Sequence, residues 1–341
     1  MILRRIITTA TALAVALAAA GCASEVSTDP TGSADPTGST VKFGKVRIGI
    51  AAPSATLILP FMAEGEGLLE KHGLTDVEIS FVPGPQLVPA LAGGAFDVAI
   101  AAAPAADLIA LSSDRVKLLA SWLPTSGQYL VAAPDIASVA ELKGRNVAIN
   151  GSKGGSSSML MDAALRKVGL TFDDVNVSVL QDSGAQVSAY ASGQVDAMVT
   201  FPPNTYKVME KRPGSHIIDD LLDVPFPSGQ VSVNSAWAEK NSDAVVGLLR
   251  GLNDALVMWR ADPEKAKALI SQKLKLPIDD PMVEQLYAHS VKVFAKELRT
   301  IDKAMEAEVF KTILANGFEK AVPEAVARVI APEFGQRALT K

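Results

Sequence analysis

The chain repeats one short sequence pattern. The segments ALAGGAFDVAIA, which begins at Ala90, and AYASGQVDAMVT, which begins at Ala189, have a glycine, an aspartate and an apolar run in the same order. The segment HGLTDVEISFV, from His72, corresponds in the same way to VGLTFDDVNVSVL, from Val168. Because both pairs occur in the same order along the chain, the sequence predicts two similar halves.

Each half alternates short apolar runs, rich in β-branched residues, with longer segments of helical period. Buried parallel strands connected by helices have this pattern. Gly73 and Gly169 each follow a predicted helix, which is where a C-cap glycine belongs. The predicted strands are VRIGIA at Val46, VEISFV at Val77, FDVAIA at Phe96 and VKLLASW at Val116 in the first half, and NVAINGS at Asn146, VNVSVL at Val175, VDAMVT at Val195 and SHIIDD at Ser215 in the second.

The alternating pattern predicts an α/β fold with two lobes, each a mostly parallel sheet flanked by helices. YLVAAPD, near Tyr129, is the predicted strand that leaves the first lobe, and QVSVNS, from Gln230, is the strand that returns to it. The sequence after Ala236 has helical period to its end, and we expect these C-terminal helices to pack mostly on the first lobe. The first lobe is then residues 41–130 together with 234–341, and the second is residues 131–233.

The N-terminus predicts export. Arg4 and Arg5 precede an apolar stretch, residues 6–20, that is shorter than the ~20 residues of a membrane-spanning helix, so residues 1–21 fit a secretory signal peptide. Cys22 is the only cysteine, which excludes an intramolecular disulfide. The AAGC motif that ends in this cysteine resembles a bacterial lipobox, which implies lipidation. A buried or incidental thiol is the alternative.

A tether is predicted between this cysteine and the folded body. Residues 22–40 contain DPTGS twice and have no apolar periodicity. Proline, glycine and hydroxyl residues of this kind do not bury enough surface to offset the entropy of ordering. The whole chain is 48% hydrophobic with a formal net charge of -5, which excludes a disordered chain and a basic nucleic-acid binder.

Several segments in order resemble the solute-binding proteins of ABC importers. They include GLTDVEI, PALAGGAFDVAIAAAPA, SVAELKGRNVAINGSKGGSSSMLMDAALRKVGL, SGQVDAMVTFPP and ADPEKAKALI. The most similar group includes nitrate-, sulfonate-, taurine- and thiamine-precursor-binding proteins, and the resemblance covers nearly all of residues 45–275. Phe201-Pro202-Pro203 departs from the aromatic, glutamate and proline of many relatives, which leaves the ligand open.

The resemblance implies a periplasmic-binding-protein fold in which two lobes close on a small solute by hinge motion. It implies delivery of that solute to an ABC permease, with no enzymatic activity, no cofactor and no nucleic-acid partner. The expected protein is a monomer outside the cytoplasm, held at the cell membrane by a lipid on Cys22. An exported lipoprotein of the same fold that acts as a sensor or an enzyme is the alternative.

The predicted binding cleft lies at the loops beyond the carboxyl ends of the strands, where helix N-termini present unpaired N–H groups. In NGSKGGSSS, from Asn150, a glycine-rich turn precedes hydroxyl groups at a helix start. Ordinary N-capping explains the same serines without a ligand. The candidate hydroxyl groups are those of Ser152, Ser156 and Ser157 in this loop and of Ser54 and Thr56 at the corresponding position of the first half.

Other candidates lie on the remaining loops. Trp122 and Phe201 follow strand ends, where an aromatic ring either covers a solute or seals the edge of a domain. Ala102 and Ala103 would allow a ligand to approach the backbone closely. The further candidates, as hinge or ligand residues, are Ser126 and Gln230.

Charge is scarce in these loops, which contain one basic residue, Lys153, and one acid, Asp107. A dianion ordinarily requires arginine or bidentate partners, so a sulfonate-like monoanion or a polar neutral heterocycle is favoured. Lys153 precedes the glycine pair Gly154-Gly155 and no Gly-Lys-Ser order occurs, so the loop is no Walker A motif. The three histidines are far apart in sequence, which gives no local metal motif.

Asp97 and Asp196 occupy matching positions near strand starts, and we expect them to cap or pair locally.

Overall fold

The computed structural model describes residues 42–150, 154–180 and 183–340, and it contains two mixed β-sheets flanked by helices. The first sheet has the order β11-β4-β10-β3-β1-β2 and the second the order β7-β6-β8-β5-β9. The strands are β1 (Val46–Ile50), β2 (Val77–Phe81), β3 (Val98–Ala101), β4 (Val116–Leu123), β5 (Tyr129–Ala132), β6 (Asn146–Asn150), β7 (Asn176–Leu180), β8 (Ala197–Thr200), β9 (His216–Asp219), β10 (Ser228–Asn234) and β11 (Arg299–Thr300).

The helices cover both sheets and form most of the C-terminal third. Short 3-10 helices occur at Val139–Leu142, Phe172–Asp174 and Pro323–Ala325. The α-helices are α1 (Leu59–Gly65), α2 (Leu68–Lys71), α3 (Gly84–Ala92), α4 (Ala105–Ser112), α5 (Ser156–Lys167), α6 (Ser183–Ala191), α7 (Asn204–Lys211), α8 (Ser235–Lys240), α9 (Ser242–Ala261), α10 (Pro263–Leu274), α11 (Pro281–Val293), α12 (Lys303–Ala315), α13 (Val326–Val329) and α14 (Pro332–Leu339).

The internal repeat appears as a shared sheet topology. β1 pairs in parallel with β2 and β3, and β6 pairs in parallel with β7 and β8. The carboxylate of Asp97 accepts a hydrogen bond from the backbone N–H of Arg47, and that of Asp196 accepts one from Asn146. The expectation that these aspartates pair locally is therefore confirmed.

The strands that follow the two connections between the sheets, β5 and β10, run antiparallel to their neighbours. β5 pairs with β8 and β9 in the second sheet, and β10 pairs with β3 and β4 in the first. The boundaries expected at 130/131 and 233/234 therefore fall inside these strands, since hydrogen-bonded partners decide which sheet a strand joins. Leu123, at the end of β4, is the register partner of Ser228, at the start of β10.

The C-terminal helices pack mainly on the first sheet and its helices. α9 lies against α1 and α2, while α14 lies against α9 and β4. Two glycines permit this close packing, because a Cβ on Gly247 would lie 2.6 Å from the carbonyl oxygen of His72 and one on Gly251 would lie 2.7 Å from Leu69 Cδ2. One helix departs from the expectation, since α12 also contacts α5 of the second repeat.

Buried apolar residues from both repeats form one shared cluster. It combines Leu87 from α3 and Ala106 from α4 with Met159 from α5, and it includes Phe310 and Ile313 from α12. Within the described residues, no helix is both long and apolar enough to span a membrane. The expectations for the signal peptide, Cys22 and the tether lie outside the described residues.

Candidate functional site

The two repeats meet where their strands end. The Ser156 hydroxyl, at the start of α5, donates a hydrogen bond to the backbone oxygen of Ala103, which follows β3 (3.2 Å). The Ala103 N–H donates to the carbonyl of Pro227, in the segment that returns to the first sheet (2.9 Å). Ala102 beside it is half-buried. A helix start of one repeat and a strand end of the other are therefore in direct contact. This contact lies where the sequence predicts the binding cleft, which we call the gap.

Ser54 and Thr56 form the first-repeat side of this gap. Their hydroxyl groups are 2.9 Å apart and hydrogen bonded, and both side chains are buried. The carbonyl of Ser54 accepts from the N–H of Leu57 and Ile58, so the segment is a tight turn that leads into α1. The hydroxyl groups are thus partnered with each other and held at the strand end by this turn.

The indole ring of Trp122 packs against that turn and bonds to its backbone. Its indole N–H donates to the backbone oxygen of Thr56 (2.8 Å), and its side chain is 0% exposed. Gly229 packs directly on the ring, since a Cβ there would lie 2.3 Å from Trp122 Cε2. Protein atoms enclose the ring, as the second of its two expected roles, sealing the edge of the domain, requires.

On the second-repeat side, the two adjacent serines differ. Ser157 is buried and interacts with Asn150, whose N–H donates to its Oγ (2.9 Å) and whose Oδ1 accepts from it (2.9 Å). Ser156 is half-buried and reaches across to the other repeat. The N-cap of α5 is Gly155, which has no side chain, so these serines do not act as N-caps. Ser152 lies outside the described residues.

The remaining candidates are distributed around the same edge. Phe201, just after β8, is half-buried. Ser126 is buried between the sheets, where its Oγ accepts from the N–H of Gln128 (3.0 Å). Gln230 is 0% exposed, and its Nε2 donates to Asp107 Oδ1 (3.3 Å). Gln230 was expected as a hinge or ligand residue, and its amide is enclosed beside Asp107.

One ionisable group of the predicted loops is buried inside the protein. Asp107, the one acid of the predicted loops, is fully buried, and burial raises the pKa of its carboxyl group. Its closest ionisable partner is Glu306, from α12, whose pKa is raised well above its ordinary value, mainly by burial. Among the described residues, no group of three or more His, Cys, Asp or Glu side chains is arranged to hold a metal ion.

Sequence reasoning missed two buried polar interactions near the gap. One is the Asp107–Glu306 pair, whose members lie far apart in the chain. The other joins His289 on α11 to the segment between β4 and β5, where Nδ1 lies 2.8 Å from the Tyr129 hydroxyl and Nε2 lies 3.1 Å from the Gly127 oxygen. His289 belongs to no sequence motif, because its partners are about 160 residues away in the chain. Only its burial marks it as important, and the sequence does not show that burial.

The two α/β repeats and the order of their strands define the class of periplasmic binding proteins. The most informative solved structure is the periplasmic aliphatic sulphonate binding protein from Escherichia coli, with a TM-score of 0.70 and 25% identity over 84% of this chain and 92% of that chain. The alkanesulfonate-binding protein from Xanthomonas axonopodis pv. citri, solved with MOPS bound, has a TM-score of 0.68 and 22% identity over 86% of this chain and 99% of that chain, and shows the shared fold.

Sequence comparison gives the family. Residues 54–266 match the family model described as NMT1/THI5 like. A Brucella abortus (strain 2308) protein described as a binding protein is 32% identical over 235 residues, which is 68% of this chain and 72% of that protein. The chain belongs to the NMT1/THI5-like family, as the resemblance in the motifs predicts.

Proposed function

We propose that this protein captures a small organic solute, either a sulfonate-like monoanion or a polar heterocycle, in the gap between the repeats. Closure of the two lobes delivers the solute to an ABC permease. The observation that carries the proposal is the Ser156–Ala103 hydrogen bond, because it joins a helix N-terminus of one repeat to a strand end of the other. Unpaired N–H groups at such a helix start favour an anionic or carbonyl oxygen.

The chemistry of the gap supports a weakly charged solute. The polar groups at these strand ends are the hydroxyl groups of Ser54, Thr56 and Ser156 and the backbone of Ala103. Half-buried Phe201 offers an apolar surface for the organic part of the solute. The proposed contact residues are Ser54, Thr56, Ala102, Ala103, Ser126, Ser152, Ser156 and Phe201, while Trp122, Ser157 and Gln230 hold the surrounding backbone.

Binding is tested with purified protein and a panel of MOPS, short alkanesulfonates, nitrate and pyrimidines. A ligand that binds only the folded form raises the midpoint of thermal unfolding with concentration. We expect at least one sulfonate or pyrimidine to raise the midpoint and to be recovered unchanged. Recovery of a converted product would contradict the proposal and favour an enzyme.

Ser156→Ala tests the gap itself. Loss of a hydrogen bond to a charged or polar oxygen weakens binding of the active probe roughly tenfold or more. Ser188→Ala is the matched control, because its exposed hydroxyl on α6 bonds only locally, to the carbonyl of Gly184. Equal affinity of the two variants, measured by calorimetry, would remove Ser156 from the site. Ser157 is unsuitable for this test, since its loss also breaks the bonds to Asn150.

We also propose that the mature protein is a monomer held at the outer face of the cell membrane by a lipid on Cys22. The motif around this cysteine and the periplasmic location of the Escherichia coli relative support this arrangement. Cys22→Ser in the full precursor should release the protein from the membrane fraction. Retention of that variant on membranes, or a dimer in light scattering of the soluble form, would contradict the arrangement.

A further inference from the structure

Three secondary structure elements bring two carboxyl groups and one amide together in the interior. Asp107 lies in the first turn of α4, Gln230 on β10 and Glu306 in the first turn of α12, and all three side chains are 0% exposed. The amide of Gln230 donates to Asp107 Oδ1 (3.3 Å), while Asp107 Oδ2 and both carboxyl oxygens of Glu306 are buried with no donor beside them among the described residues. The carboxyl groups of Asp107 and Glu306 interact with each other. This cluster attaches the beginning of α12 to the first repeat.

A hydrogen bond between two carboxyl groups requires a proton, because an ionised carboxylate has no donor. Burial raises the pKa of both groups, and the charge of Asp107 raises that of Glu306 further. Two adjacent carboxylates without a cation would carry a large desolvation cost. The folded protein therefore retains one proton between Asp107 and Glu306 under conditions in which exposed carboxyl groups have lost theirs.

Other charged groups on the surrounding elements are engaged elsewhere. α4 has no second ionisable residue, and β10 has none. On α13, Arg328 donates to the backbone oxygen of Leu111 (2.8 Å). The other charged residues of α12 near this end, Lys303 and Glu308, are exposed. The charged residues that α5 contributes to this packing are Asp162, Arg166 and Lys167, which pair with one another or with residues away from the cluster.

The opposite end of α12 is attached to the second repeat. Arg166 on α5 donates to the carbonyl of Ala315 (3.3 Å), and the amide of Asn316 donates to Asp162 Oδ2 (3.3 Å). The ring of Phe318 then packs on Gly154, where a Cβ would lie 2.4 Å from it. α12 therefore connects α4 of the first repeat to α5 of the second, beside the gap.

We propose that the proton shared by Asp107 and Glu306 is a latch that holds α12 across the two repeats, and that loss of this proton loosens α12. The latch is strongest at low pH, because the folded form keeps a proton that the unfolded chain releases as the pH rises above about 4. Its contribution is complete below the ordinary carboxyl pKa of about 4 and declines as the pH rises to the raised pKa of the pair. The proposal is independent of the solute.

Glu306→Gln tests the latch, because glutamine has the shape of the protonated acid and keeps a donor at every pH. One bound proton corresponds to a change of roughly tenfold in the unfolding equilibrium constant per pH unit. In the full chain, urea unfolding between pH 5 and pH 9 should show the wild type losing stability relative to E306Q as the pH rises. Glu308→Gln is the matched control, since Glu308 is an exposed acid on the same helix that pairs with Lys311.

A second variant and a local measurement make the outcome decisive. Asp107→Asn should remove the same pH dependence of the unfolding free energy. The double variant D107N/E306Q should have the same pH dependence as either single variant, because both substitutions remove one shared proton. Hydrogen exchange of the α12 amides, compared between wild type and E306Q at the same pH, should be faster in the wild type at pH 9. The proposal would be overturned if the unfolding free energy of the wild type changed with pH in parallel with those of E306Q and D107N. It would also be overturned if the α12 amides exchanged equally fast in the wild type and E306Q at pH 9.

Discussion

The environment of His289 determines the protonation state of its imidazole ring, and this state can be measured. The Gly127 carbonyl can only accept a hydrogen bond, so Nε2 carries the proton and donates to it. Nδ1 is then the acceptor for the hydroxyl of Tyr129. The imidazole is consequently neutral, and it ties α11 to the segment that joins the two sheets.

The size of the effect follows from the pKa of this ring. Burial lowers the pKa of His289 to about 4, whereas an exposed histidine titrates near 6.5. The unfolded chain therefore binds a proton before the folded chain does, and stability falls as the pH decreases from about 6.5 to about 4. A difference of about two and a half pKa units corresponds to roughly 3 kcal/mol of unfolding free energy.

The assay is urea unfolding, followed by tryptophan fluorescence, of the wild type and His289→Gln at several pH values between 7 and 4. H289Q should be less stable than wild type at pH 7, by about 1–3 kcal/mol, because glutamine fills the pocket and its hydrogen bonds poorly. The deficit should shrink or reverse near pH 4, because glutamine does not titrate. A deficit that stays constant over this range would refute the assignment of a neutral buried ring. His216→Gln, outside this pocket, is the control.

Two further substitutions test the packing of the repeats. Asp97→Ala should destabilise the protein by about 2 kcal/mol, which is more than Asp196→Ala, because Asp97 accepts hydrogen bonds from both the backbone N–H and the guanidinium of Arg47. Equal losses of unfolding free energy in denaturant would contradict this difference. Gly229→Ala should lower the free energy of unfolding by about 2–4 kcal/mol, because φ of Gly229 is +59° and the new methyl group would collide with Trp122. An unchanged midpoint of thermal unfolding would contradict this and show that the Trp122 ring moves freely.

The repeated pattern predicted most of the fold because strand periodicity and turn glycines are local properties. The strands that begin at Val46, Val77, Asn146 and Asn176 lie within or next to the predicted runs. The expected boundaries of the two lobes fall within β5 and β10. Both strands are buried almost throughout, so the sequence does not reveal which sheet supplies their hydrogen-bonded partners.

The candidate site was predictable to the level of the loops. Ser156 and Ala103 were both expected at the gap, and the structure brings them into contact. Trp122 was expected either to cover a solute or to seal a domain edge, and Gln230 to act as a hinge or ligand residue. Both side chains are enclosed, and the sequence could not decide between these roles because a residue at a strand end can point to either side of its sheet. The Asp107–Glu306 pair depends on how α12 returns to α4, which is a tertiary contact with no local signature.

The register of β4 and β10 has a consequence for how the second sheet is inserted. The chain leaves the first sheet at Leu123 and re-enters it at Ser228, and these residues are partners in adjacent strands, about 5 Å apart. A short hairpin turn could therefore replace residues 124–227 without breaking any strand pair of the first sheet. Such a minimal protein would nevertheless expose Leu87, Ala106 and Phe310, whose apolar neighbours include residues of the deleted segment. The inserted sheet is dispensable for chain connectivity but is required to keep that surface out of water.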